Sequence, residues 1–207
     1  MNPDELPEDV RALLKRAQSA GADVTEPSVL TKVAKALQSV PPWQPRVPNL
    51  CGHKVVLFMD IDGIAHGQGD SRYDELTSSV VGEGLWRWWP HLRDVLDEYP
   101  DVAVVVHSSW RQIYPSLEWL RPVLPVDLAQ RVVGVTDVNI YSRHESIEAY
   151  LAEHPDVGAY VVLDDDQFFP THVPLVLCDS KRGMSDPAKV EELRHALAAA
   201  RARAQAN

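Results

Sequence analysis

The chain predicts an α/β fold: a three-layer arrangement in which helices cover both faces of a parallel sheet, preceded by a small helical extension. Three observations predict it. Apolar runs of strand length recur at Val55–Met59, Val102–Val106 and Tyr160–Leu163, and each ends abruptly in polar residues, as buried parallel strands do. Segments of helical periodicity separate these runs, and short connections join them, an alternation that builds a sheet covered on both sides. At 207 residues, with 45% hydrophobic and 24% charged, the chain is long enough for one full core and an appendage.

Taken in order, Pro7-Glu8-Asp9 opens a helix with proline near its start and acidic residues in its first turn. Val10, Leu13, Leu14 and Ala17 recur at helical spacing until Gly21 stops the segment. A second helix, from about 26 to 40, carries Val29, Leu30, Val33, Ala36 and Leu37 on one face, and a proline-rich connector follows over 41–48. Residues 1–50 therefore read as a helical extension with its linker, and residues 51–207 as the α/β domain. The extension is either a helical hairpin packed on that domain, which is the favoured reading, or a docking module for a protein partner.

The first strand ends in Asp60-Ile61-Asp62-Gly63, and a polar, glycine-rich loop runs from Ile64 to about Gly84. Trp86, Trp89, Leu92, Val95 and Leu96 mark an amphipathic helix that Pro100 ends; its tryptophans share a face with aliphatic residues, which favours packing over stacking on bases. The second strand ends in Ser108-Ser109-Trp110-Arg111, and Ile113 to Leu124 reads as a helix interrupted by Pro115 and Pro122. A short strand (Val132–Val135), a helix from Ser142 to Leu151 with Arg143 at its start, and a third strand ending in Asp164-Asp165-Asp166 follow. Leu175–Cys178 is the last strand. A helix from about Pro187 closes the series, and its alanine- and arginine-rich end, Ala198–Ala206, is expected to fray into solvent.

Composition narrows the function classes. The net charge of −10 disfavours general adhesion to nucleic acid or to an anionic membrane, while leaving room for a local basic rim. Two cysteines, Cys51 and Cys178, make no disulfide framework and fit the reducing cytoplasm. The N-terminus has no apolar signal region, and no stretch reaches membrane-spanning length, so a cytoplasmic protein without membrane association is expected.

Two carboxylates one residue apart at the end of an apolar strand are costly unless a cation or a proton relieves their repulsion. A metal or acid/base role competes with a plainer one, a cap and a turn residue, since Asp and Gly are common after strands. On an extended strand residues i and i+2 point the same way, so Asp60 and Asp62 would face a single ligand. Gly63 would let the backbone turn away.

The order Asp-x-Asp-Gly, serine at a strand end, a cation at a helix start and an acidic cluster at a strand end resembles the haloacid dehalogenase (HAD) superfamily of phosphohydrolases. The segments VVVHSSWRQ, SRHESIEAYL, VVLDDDQFF and LVLCDSKRGMSD resemble the HAD domains of Swiss Army Knife RNA repair proteins over about Lys54 to Leu197. The resemblance implies a HAD-like sheet and a phosphatase working through an aspartyl-phosphate on Asp60, with Asp62 as general acid and base. It implies Mg²⁺ held by Asp60, the Asp62 carbonyl and the Asp164/Asp165 pair, with the direct ligand of that pair left open. Ser108 and Arg143 would stabilise the transferring phosphoryl group, and Gly63, Ser109, Arg111 and Lys181 would line the substrate; Lys181 is the alternative cation. Ser108 and Ser109 could instead cap the next helix, Arg111 could merely brace its loop, and His66 and His107 read as structural. Where the superfamily often has lysine this chain has Arg143, and Ala65-His66 replaces a more typical pair. Neither gap between motifs has room for a separate cap domain, so bulky substrates such as nucleic-acid ends are expected. The rival reading is a HAD-fold binding module with vestigial activity.

Overall fold

The structure is a computed structural model that describes residues 55–77 and 79–206. The expected extension and linker over 1–50, and Cys51, lie outside the described residues. Two compact units are distinguished: a short segment, Tyr73–Val80, and the body formed by the other described residues. The short segment contains most of a two-stranded ribbon, β2 (Arg72–Asp74) with β3 (Ser79–Val81). Its turn is closed by Asp74, whose carboxylate accepts from the Leu76 N–H at 3.1 Å and the Thr77 hydroxyl at 3.0 Å. This ribbon occupies what the sequence predicts as loop, because three-residue strands with no buried alternation leave no periodic signal.

The body carries a five-stranded sheet in the order β5-β4-β1-β6-β7, with every neighbouring pair parallel. β1 (Val55–Met59) is central, flanked by β4 (Val102–Val106) and β6 (Ala159–Asp164); β5 (Val132–Val135) and β7 (Leu175–Leu177) are the edges. All five residues of β1 and of β4 are buried, which is why both read as unbroken apolar runs. The chain builds outward from β1 through β4 to β5, then crosses back to β6 on the other side. Such a reversal leaves a crevice at the carboxyl ends of the central strands, where α/β folds bind ligands.

Helices cover both faces. On one, Ile147 of α4 (Arg143–Glu153) packs with Val56, Phe58, Ala103, Val105 and Val162, and Tyr150 meets Phe58 edge-on at 5.5 Å. On the other, α5 (Pro187–Ala206) lies against β6 and β1 and beside α1 (Trp89–Glu98). α1 buries Trp89, Leu92, Val95 and Leu96 as predicted, but it begins three residues later than Trp86. Pro90 suits a first helical turn, and Trp86 has a left-handed φ of 63°, outside any helix. The stretch expected as one proline-interrupted helix is divided. A 3-10 turn at Ser109–Gln112 precedes α2 (Leu117–Leu120), a 3-10 turn at Arg121–Val123 and an unforeseen α3 (Val126–Arg131). Pro115, Pro122 and Pro125 each interrupt helical hydrogen bonding, so only short pieces survive.

The C-terminal stretch departs from the expected fraying. Helix α5 continues to Ala206, Ala200 is buried, and Arg201 pairs with Asp101 through bonds of 2.6 and 2.9 Å. Alanine and arginine are strong helix formers, and that propensity prevails where a partner surface exists. Cys178 is a buried free thiol whose pKa burial pushes up to about 12. Among the described residues no helix is long and apolar enough to cross a membrane.

Candidate active site

β1 and β6 run side by side, and the residues that leave their carboxyl ends, Asp60, Asp164 and Asp165, bring their carboxylates together. Each offers an oxygen within 4.8 Å of the others. Asp60 is 1% exposed and Asp164 fully buried, so water does little to screen their charges. Burial, then repulsion from Asp164, raises the Asp60 pKa above the usual carboxylate range, against the opposing pull of Arg143 and the Ser108 hydroxyl. Burial and the charges of Asp60 and Asp164 raise Asp165 to about 6. Hard oxygen donors packed this tightly, with protonation favoured over shared negative charge, are a donor set suited to a divalent cation.

In this structure the neutralising charge is Arg143. Its Nη1 donates to Asp60 Oδ2 at 2.6 Å and to Asp164 Oδ2 at 2.5 Å. Burial works against the guanidinium's charge, but the two carboxylates outweigh it and raise its pKa. Arg143 reaches this position as the first residue of α4, with Ser142 capping the helix by accepting from the Glu145 N–H at 3.3 Å. The other Asp60 oxygen, Oδ1, accepts from the Ile61 N–H at 2.7 Å, and Asp164 Oδ1 accepts from the Asp166 N–H at 2.8 Å.

Gly63 is required by geometry. Its φ is +74°, and a Cβ there would fall 2.2 Å from Asp165 Oδ2 and 2.5 Å from its carboxyl carbon. The glycine thus makes the turn and vacates the space that the Asp165 carboxylate fills. The acidic pair, however, does not lie along an extended strand as its spacing predicts. β1 stops at Met59: the Asp60 N–H still donates to Leu163 O at 3.0 Å, but the Ile61 N–H turns back onto Asp60's own side chain.

Asp62 consequently has its own surroundings. Oδ1 accepts from the Ser71 hydroxyl at 2.6 Å and lies 3.0 Å from His66 Nε2, while Oδ2 accepts from Trp110 Nε1 at 2.9 Å. His66 Nδ1 accepts from the Trp86 N–H at 3.5 Å, which places the ring proton on Nε2, facing Asp62. Burial raises the Asp62 pKa, but these donors prevail and hold it below the usual range. His66 reads as structural from the sequence, and neither Ser71 nor Trp110 carries a predicted role. The i, i+4 spacing of Asp62 and His66 was the one available signal.

The remaining predicted residues divide. Ser108 is buried at the end of β4, and its Oγ accepts from the Trp110 N–H at 3.4 Å, the capping geometry weighed as its plainer role. Ser109 is exposed. Arg111 is buried and braces the loop before α4 through Nη2 to Ile140 O at 3.2 Å; burial, then the nearby Arg143, lowers its pKa. Lys181 is exposed in the turn after β7, where its N–H donates to Asp179 Oδ1 at 2.9 Å, and Arg143 rather than Lys181 contacts the carboxylates. His107 is fully buried with Nε2 3.4 Å from Asp164 Oδ2, and neither ring nitrogen has a hydrogen-bond partner among the described residues.

No curated protein and no solved structure matches the chain. Residues 56–188 do match a family, described as the HAD domain in Swiss Army Knife RNA repair proteins. The match runs from β1 through both acidic segments to the start of α5 and takes in every candidate site residue from Asp60 to Lys181. With the parallel sheet and its acidic crevice, it shows that the chain belongs to this HAD domain family.

Proposed function

We propose that this chain is a Mg²⁺-dependent phosphohydrolase that works through an aspartyl-phosphate on Asp60 and acts on terminal phosphates of nucleic acids or on nucleotides. The observation that carries the reading is the convergence of Asp60, Asp164 and Asp165 at the ends of two adjacent central strands. Those three carboxylates, with the Asp62 carbonyl, would hold the ion. When bound, Mg²⁺ would neutralise the charge that otherwise repels a phosphate from this crevice.

The side chains supply the rest. Asp60 Oδ1 is fixed by the Ile61 N–H, so Oδ2 is the oxygen free to attack once Arg143 releases it. That attack forms a new P–O bond as the ester P–O bond breaks, and the departing oxygen takes a proton from Asp62. Water then attacks phosphorus, gives its proton to Asp62, and restores the Asp60 carboxylate as inorganic phosphate leaves. Arg143, with two carboxylates as resting partners, can redirect its donors to the equatorial oxygens, where phosphoryl transfer needs positive charge. The Ser108 hydroxyl stands at the adjoining strand end for the same task, and Arg111 adds a buried guanidinium near the half-buried Arg143. The family description supports an RNA end as substrate.

The test is metal-dependent phosphate release from an aryl phosphate and from 3′- and 5′-phosphorylated oligonucleotides. Wild type should release phosphate with Mg²⁺ and lose activity with chelator, while Asp60→Asn should be inactive. Equal inertness of wild type and Asp60→Asn across the panel would instead favour the binding-module reading.

A further inference from the structure

Among the described residues, the two most exposed aromatic side chains stand on the connections that lead into Arg143 and away from the Asp164–Asp166 segment. Tyr141 is 93% exposed and Phe168 is 83% exposed. Tyr141 lies two residues before Arg143 on the β5–α4 connection, and Phe168 two residues after Asp166 on the β6–β7 connection. Arg143 and Asp166 approach each other, with Nε 3.8 Å from Oδ2. The backbone beneath each ring is tied to charged groups of the site. The Phe168 N–H donates to Asp166 Oδ1 at 2.9 Å, and Ile140, beside Tyr141, accepts from the buried Arg111 at 3.2 Å. Phe58, Trp110 and Tyr114 pack inward, and the next most exposed aromatic side chains among the described residues, Tyr73 at 49% and Trp119 at 42%, are far less open to solvent than these two. Two rings left in solvent on loops anchored to a reaction centre are placed for contact with a ligand.

We infer that Tyr141 and Phe168 form a stacking subsite for the base next to the phosphate that Asp60 attacks. This rests on the proposed function and deepens it, by assigning the residues that hold the base of the nucleotide or polynucleotide end. Every nucleobase presents a planar π face to an exposed ring, so stacking gives affinity without sequence preference. A peptide needs a continuous apolar groove or a strand edge; these rings are flanked in the chain by polar residues such as Asn139, Ser142, Asp166 and Gln167. Stacking also suits a chain of net charge −10, whose attraction for a polyanion has to be local.

The test compares full-length Asp60→Asn, in which turnover is blocked, with the same chain carrying Tyr141→Ala and Phe168→Ala. Binding of adenosine 3′-monophosphate, adenosine 5′-monophosphate, ribose 5-phosphate and a phosphoserine peptide is measured by calorimetry. At least one adenosine nucleotide should bind more tightly than ribose 5-phosphate by about tenfold, the scale of one base–aromatic contact. The double substitution should remove that advantage and leave ribose 5-phosphate unchanged. Equal binding of nucleotide and ribose 5-phosphate, a parallel loss for both, loss confined to the phosphopeptide, or no binding at all would each overturn the subsite. Phosphate release from phosphoserine by the chain with Asp60 intact reports separately on the phosphatase reading. Release there without any preference for a base removes the subsite alone. Both rings are exposed, so thermal melting of the variants should match the parent.

Discussion

Asp62 accepts hydrogen bonds from Ser71, Trp110 and His66, and together they favour its ionised form strongly enough to overcome burial. As proposed, the same residue must carry a proton in one half of the reaction and take one in the other. Its pKa then sets a limb of the pH profile, and each donor trims it. Trp110→Phe keeps an aromatic, though smaller, side chain and deletes the donor from Nε1, so the Asp62 pKa should rise. The limb that Asp62 governs should move to higher pH in a comparison of kcat/KM profiles between variant and wild type; an unmoved or lowered limb would separate Asp62 from the proton transfers. Asp62 and Gly63 were legible as a motif, but the donors were not. Ser71, His66 and Trp110 sit in loops without periodicity, and only folding brings them onto one carboxylate.

At the scale of elements, α4 sets a cation where a helix dipole disfavours one. Arg143 is the first helical residue, and the partial positive charge of the N-terminus opposes it; the carboxylates of Asp60 and Asp164 offset that cost. The cap that fixes this turn is Ser142. Ser142→Ala should destabilise the protein by about 1 kcal/mol, the usual value of a lost N-cap, as read from urea unfolding midpoints. It should also lower turnover by loosening the Arg143 backbone. Elements were legible in proportion to how far burial writes itself into sequence. β1, β4, β5 and β6 emerged from unbroken apolar runs, and α4 from its Ser142 start. The β2–β3 ribbon and α3 did not, because an exposed three-residue strand and a six-residue helix after Pro125 are fixed by their tertiary setting rather than by local pattern.

For the molecule as a whole, the acidic centre links stability to pH and, under the proposed function, to metal. The folded-state pKa of Asp165, about 6, lies above the ordinary 3.8, so the native state binds its proton more tightly than the unfolded chain. Stability from this group therefore falls as pH rises from 3.8 to about 6 and stays reduced above it. Without metal, Asp165→Asn should melt at a higher temperature than wild type above pH 6, and the gap should close toward pH 3.8. Saturating Mg²⁺ should raise the melting temperature of wild type at neutral pH and do so far less in the variant, measured by differential scanning calorimetry.

β1 is paired to β6 across the full length of the chain that separates them, residue against residue from Val55 with Ala159 to Met59 with Leu163. Until that late strand has been synthesised, Asp60 has neither Asp164 nor Asp165 for company, and a ribosome-bound fragment ending before it carries only one of the three clustered carboxylates. Competence should arrive all at once, when β6 has been made and paired. A chain cut between β5 and α4 should recover it only when its two pieces are supplied together.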